Sequence, residues 1–396
     1  MSHRAVVVGA GPAGSIAALV LARAGVEVEL FDRATFPRPK LCGDTVNPGT
    51  LAMLEALGVG AAVRRASRPV TGMLVTGPNG AAIAADYPDG VCGAAIERRE
   101  FDAALLAAAV SAGVRSSSGL RVDAPVMDPK TGRVAGIQVH DRGRHEDVRA
   151  DIVIAADGRG SRLGGALGLT RFASSPQRWA FGAYYRGIDG MTTRGEMHIR
   201  ADGYLGIAPI APDLANVCVV RELAPADRIA GMPAEETIAA AIRDAGRLRD
   251  RFSGASRVTP PVVLGPLAVD AARAGAPGLL LAGDAAGFVD PMTGDGLRFA
   301  VRGGILAAEA ALRELITGRP AYGELLRARR REFSGKWRLN RTLRWLVGSP
   351  AALDVAAALG SRWPAAVRAL VAAAGDIAVA RALSGSRGGP DRVRPT

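Results

Sequence analysis

Cysteine is scarce: Cys42, Cys92 and Cys218 are the only three in 396 residues, and no two form a CxxC pair. An odd, scattered set suits a reducing compartment and excludes a disulfide scaffold. The four histidines (His3, His140, His145 and His198) make neither HxxxH nor HExxH, so no metal site is expected. Lysine is almost absent, with Lys40, Lys130 and Lys336 the only three among 50 lysine-plus-arginine residues. No apolar run approaches the roughly 20 residues that cross a bilayer. Arg4 runs straight into Ala5-Val6-Val7-Val8, which leaves no room for a signal peptide, and the expected location is the cytoplasm.

What is present is an ordinary globular composition, 48% hydrophobic and 22% charged. It is long enough for two or three domains. The net charge of +12 raises the question of nucleic acid. The arginines are scattered, however, and the nearest basic run, Arg327 to Arg331, has acidic and apolar neighbours. A solvated basic surface, with some arginines gripping anionic phosphates, is the better reading, and no nucleic-acid partner is expected.

Ala5 to Val8 reads as a strand buried on both faces, Ser15 to Ala24 as an Ala- and Leu-rich helix closed by Gly25, and Val26 to Phe31 as a second strand. Between strand and helix lies Gly9-Ala10-Gly11-Pro12-Ala13-Gly14. Gly9 permits the turn, Gly11 admits a pyrophosphate, and Gly14 lets the helix pack on the strand. Asp32 ends the second strand, where a carboxylate accepts bonds from ribose hydroxyls. Together these bind the ADP half of a dinucleotide. Two later motifs also follow buried strands: Asp157-Gly158, and Gly283-Asp284 running through Pro291 to Gly294-Asp295-Gly296-Leu297. Glycines at the start of that last helix suit the edge where a reduced flavin becomes anionic, and Asp284 is placed for ribityl hydroxyls. Three separated contacts in this order point to FAD.

On these motifs the chain resembles the FAD-dependent oxidoreductases of the para-hydroxybenzoate hydroxylase type over most of residues 1 to 335. The resemblance implies FAD contacts from Arg33 and Arg98 as well, and NADPH or NADH as a transient electron donor. Within that type it is most similar to the geranylgeranyl reductase branch. Pro37 to Asp44 carries that branch's Pro-Lys-x-Cys-Gly-acidic segment, which adds Lys40, Cys42 and Gly43 to the cofactor site and makes Cys42 and Asp44 the candidate catalytic groups. Gly287 and Arg298 stand where hydroxylases carry His and Asn, and Gly164 where many carry an arginine. The branch's Tyr-x-Trp-x-Phe-Pro segment reads Tyr204-Leu205-Gly206-Ile207-Ala208-Pro209 here, so two bulky aromatics are missing. The halogenase signature Trp-x-Trp-x-Ile-Pro is absent.

The expected fold is α/β. A Rossmann-like FAD domain is assembled from 1–70, 96–170 and 266–335, a β-sheet substrate domain from 71–95 and 171–265, and a helical cap and tail from 336–396. Tyr184, Tyr204, Ile207 and Pro209 are expected to line the substrate pocket. Cys92 and Cys218 read as inert filler. The first functional expectation is a monooxygenase that uses molecular oxygen to hydroxylate a lipophilic aromatic or polyketide-like molecule. The alternatives are hydride transfer to an alkene of a prenyl or quinone lipid, and an electron-transfer flavoprotein without nicotinamide-driven catalysis of its own. The apolar C-terminal helices suggest a membrane surface, but a cap on the FAD domain is the favoured reading.

Overall fold

The opening strand, β1 (Arg4–Val8), pairs in parallel with β2 (Glu27–Asp32) on one side and with Ile152–Ala155 on the other. Its side chains alternate between two cores. Ala5 and Val7 pack with Val28, Leu30 and Ile154, whereas Val6 and Val8 pack with Val153, Leu279 and Leu281. Burial on both faces is the reason the strand is a continuous apolar run. The computed structural model describes residues 3–385 apart from 80, 142, 176, 224–232, 289–291, 293 and 348–362.

Six strands form this sheet in the order Gly275–Ala276, Leu279–Leu281, Ile152–Ala155, β1, β2, Arg115–Ser118, all parallel except the first. One face is covered by helix α1 (Pro12–Arg23) and the helices Arg98–Ser111 and Gly296–Thr317. The other face is covered by an antiparallel meander, Arg121–Met127, Val134–Asp141 and Arg144–Arg149, whose Val122, Ile137 and Val139 enter the second core. The sequence reading missed this meander, because Arg121–Met127 buries only Val122 and Arg144–Arg149 buries nothing, so neither forms an apolar run.

A second, eight-stranded sheet contains Arg178–Arg186, Leu214–Glu222, Gly203–Ala211 and Arg194–Arg200 as consecutive antiparallel neighbours. Gly72–Thr76 then joins Arg194–Arg200 in parallel and carries Ala82–Asp86. The helix expected over Pro233 to Asp250 is broken: Ala234–Asp244 ends at Ala245, whose ψ of 90° is not helical, before a short turn at Gly246–Arg249. The C-terminal helical region begins earlier than expected, with Tyr322–Val347, and continues in Pro364–Ala374 and Ile377–Gly385. Its expected breaks at Gly348, Pro350 and Gly360 lie outside the described residues. Among the described residues, no helix is long and apolar enough to cross a membrane.

Candidate active site

Gly9 takes φ +98°, a left-handed conformation that a side chain would strain. A Cβ on Gly14 would lie 1.8 Å from the Gly9 carbonyl oxygen, so α1 starts directly against the end of β1. The helix opens with Pro12 after Gly11, and Pro is suited to the first helical position because its missing N–H would be unpaired there anyway. Asp32 holds this turn itself: Oδ2 accepts from Ala10 N at 2.7 Å and Oδ1 from Ala34 N at 2.8 Å. The carboxylate therefore orders the backbone of the nucleotide turn as well as bordering it.

Two connected clefts leave this turn. One, of 380 Å³, is bordered by Gly9, Asp32, Arg33, Arg38, Asp157 and Arg162. The other, of 130 Å³, is bordered by Pro12, Ala13, Lys40, Cys42, Arg98, Asp284 and Leu297. Gly11, Lys40 and Gly158 belong to both. The clefts fit FAD on two counts. A Cβ on Gly43 or Gly158 would meet nothing within 4 Å, and one on Gly11 only an arginine tip at 3.7 Å, so their backbones face open space. Lys40, Arg38, Arg98 and Arg159 also bring cations to a narrow cleft, as a pyrophosphate requires. Burial first, and then the Arg98 guanidinium, hold the Lys40 ammonium below its usual value, a cost that a bound anion would relieve.

Arg98 is itself buried and grips Asp102 one turn on, with bonds of 2.8 and 2.9 Å. Asp157 accepts from Arg162 N at 2.9 Å through Oδ2, while its Oδ1 is buried without a partner, and burial pushes this carboxyl up. Asp284 borders the cofactor cleft after Gly283, whereas Gly294 borders a third cavity and Gly296 returns to the cofactor cleft. Pro291 lies outside the described residues. Asp295 turns elsewhere: buried at 1% exposure, it accepts from Lys336 Nζ at 3.1 Å and Asn47 Nδ2 at 3.3 Å, tying the cofactor loop to the C-terminal cap.

The third cavity, of 200 Å³, adjoins the second at Gly43 and Cys218. Its walls are apolar: Met73, Val75, Met197, Tyr204, Met292 and Val371. Tyr204, Gly206, Ile207 and Ala208 all border the cavity, and Ile207 also packs in the core with Phe181, Val217 and Val219. Pro209, also buried, does not border the cavity. Cys218, read as filler from the sequence, is a wall of both cavities, and burial pushes its thiol up to about 12.

Asp44 follows Gly43, which borders both cavities, and precedes Thr45, which borders the third; it borders neither itself, being fully buried, and is held at φ +52°. Its Oδ2 accepts from the Tyr184 hydroxyl and from Asn216 Nδ2, the latter at 2.7 Å, while Oδ1 is buried without a partner. Burial pushes this carboxyl up to about 7, against the pull of the Tyr184 and Asn216 bonds. Tyr184, expected in the pocket wall, does not border the third cavity and is spent on Asp44 instead. Asn216 was not singled out from the sequence, because only cross-strand register sets it opposite Tyr184. Asp123, His140 and His145 bring donor atoms within 4.8 Å of one another on the outer meander, but Asp123 already pairs with Arg121 and Arg162.

A parallel sheet with a glycine turn, a basic cleft and an acidic loop at Asp284 defines a flavoprotein, and residues 3–332 match the FAD binding domain family. The chain belongs to that family and is an FAD-dependent oxidoreductase. It is 32% identical over 325 residues to digeranylgeranylglycerophospholipid reductase 2 of Methanopyrus kandleri, covering 78% of this chain and 77% of that one. It is 31% identical to menaquinone reductase of Mycobacterium tuberculosis, with 77% and 75% covered. Among solved structures, a geranylgeranyl bacteriochlorophyll reductase-like protein of Thermoplasma acidophilum superposes with a TM-score of 0.79 at 22% identity, over 97% and 99% of the two chains. A flavin-dependent brominase gives 0.82 at 19% identity over 100% of both, a likeness of fold.

Proposed function

We propose that this protein is an NAD(P)H-consuming flavin reductase that saturates a carbon–carbon double bond of a lipophilic prenyl or quinone molecule. The observation that carries the reading is Asp44, a buried acid whose pKa of about 7 lets it hold a proton at neutral pH. Tyr184 and Asn216 both donate to Oδ2, which leaves Oδ1 as the oxygen free to carry that proton. Bound FAD, once reduced by NAD(P)H, supplies the hydride. The chain supplies the matching proton from Asp44, so that one hydrogen is added to each alkene carbon and one NAD(P)H is oxidised. The apolar third cavity holds the chain of the substrate and excludes water.

The reductase names of the relatives favour this reading over the hydroxylation first expected. Gly206 and Ala208, where two aromatics are expected of the reductase branch, widen the cavity and suit a substrate with a ring. That same width supports hydroxylation of a lipophilic aromatic as the second reading. The test is anaerobic turnover with NADPH and a menaquinone. A product that stays two hydrogens heavier after its ring is reoxidised to the quinone supports the reductase, whereas one that returns to the starting mass was only reduced to the quinol. A product formed only with oxygen present, and carrying one added oxygen atom, replaces it with the second reading. No oxidation of NADPH or NADH would instead return the electron-transfer alternative.

A further inference from the structure

The basic run Arg327 to Arg331 sends one of its arginines inward. Arg327, Arg330 and Arg331 are exposed, whereas Arg329 is 4% exposed and shares the buried stripe of its helix with Leu325, Phe333 and Lys336. A buried arginine is normally paired with a carboxylate. Arg98 pairs with Asp102, and Arg298, equally deep, lies 2.6 Å from Glu332 and 2.9 Å from Asp376. Among the described residues, no carboxylate stands at ion-pair distance from Arg329.

Its contacts are with backbone and a ring instead. Nη2 donates to Ala286 O at 3.0 Å, the guanidinium lies 5.4 Å from the centre of the Phe333 ring, and Nη1 is buried without a partner. Gly303 makes this approach possible, since a Cβ there would stand 3.1 Å from Nη1 and 3.6 Å from Gly283 N. The guanidinium therefore backs the Gly283–Ala286 turn, whose Gly283 and Asp284 border the cofactor cleft, while Arg329 itself borders neither cofactor cleft. Arg329 also borders a 270 Å³ cavity with Phe288 and Trp337, but Nη1 is sealed from it. Burial pushes the guanidinium down to about 10, and the pull that opposes it comes from Asp284. The same carboxylate pulls on Lys40 and Arg159, which burial also lowers. Three cations thus share one carboxylate around this turn, and a buried positive excess is a site prepared for an anion. FAD brings one, its diphosphate.

We infer that Arg329 is a further determinant of FAD binding, a buried positive charge behind the Gly283–Ala286 turn that attracts the cofactor's diphosphate without touching it. The inference holds whichever reaction the flavin serves. The full-length protein, stripped of flavin, is titrated with FAD. Arg329→Gln removes the charge and keeps a donor for Ala286 O, and it is expected to weaken FAD binding about tenfold. Its apoprotein is expected to unfold in urea no earlier than wild type, because a buried unpaired charge has gone. Arg329→Lys keeps the charge and is expected to bind FAD within about threefold of wild type. A glutamine variant that binds FAD as wild type does overturns the inference. So does one whose loss the lysine variant shares, since shape rather than charge would then matter. Should the glutamine variant fail to fold, the lysine variant decides alone: near-wild-type affinity supports the inference, and a loss of about tenfold overturns it.

Discussion

The two sheets meet at residues 40 to 44 from opposite sides and build their halves of the site by different rules. In the six-stranded sheet both faces are buried, and the site consists of backbone turns beyond the strand ends. In the eight-stranded sheet the site is a face, laid out in rows across strands. Tyr184, Asn216 and Ala208 form one row, and Gly182, Cys218, Gly206 and Met197 the next. Leu41 nests against Gly182, where an added Cβ would come within 2.2 Å of Leu41 Cδ1. The first half tolerates almost no change at its glycines, because an added Cβ on Gly9 or Gly14 meets backbone. The second is a surface whose shape can be altered one residue at a time.

Gly14→Val tests the backbone half most severely. It is expected to lower the flavin-to-protein ratio on the order of tenfold or more, read by absorbance, because the Gly9 carbonyl cannot retreat from the new Cβ. Asp44→Asn, at the seam, is expected to keep its flavin but lose roughly 10²- to 10⁴-fold in kcat under anaerobic steady state. Its second signature is in stability. The folded carboxyl sits at about 7 against an ordinary 3.8, so the native state binds more protons between those values. Wild-type stability should therefore fall as pH rises from 3.8 towards about 7 and then level off, and the variant should lose that slope in urea titrations at several pH values.

Lys336→Met leaves the buried Asp295 without the ammonium that stands 3.1 Å away, while Asp376, 3.2 Å from it, keeps Arg298 at 2.9 Å. A loss of about 3 kcal/mol is expected, read from thermal and urea unfolding. Gly206→Trp tests the side-chain half. A Cβ there has its nearest neighbours at 3.8 and 3.9 Å, so the variant should fold and load flavin normally. It should raise KM for ring-bearing substrates by about tenfold while sparing linear prenyl chains. Equal effects on both substrates would mean that Gly206 does not set specificity.

The same division explains what could be read from the chain alone. Gly9, Gly14 and Asp32 are legible because their roles depend on neighbours within one strand–turn–helix segment. Asp44 was legible as a candidate acid, but its raised pKa was not: that comes from burial in the folded chain, against bonds from Tyr184 and Asn216, residues 140 and 172 positions away. Pro209 was assigned to the pocket because its segment was, yet it does not border the cavity, while Ile207 both borders it and packs in the core behind. Asp295 sits inside a glycine motif that reads as a cofactor contact, and only the fold brings Lys336 to it.

That last contact makes the cofactor loop and the cap a single thermodynamic unit. Lys336 holds Asp295 with one bond and the final carbonyls of Pro364–Ala374 with two others. Whatever orders the loop must then steady the helix, and whatever draws the helix away must loosen the loop by the same free energy. Slower amide hydrogen exchange in Pro364–Ala374 when flavin is added to the apoprotein would measure that reciprocity directly.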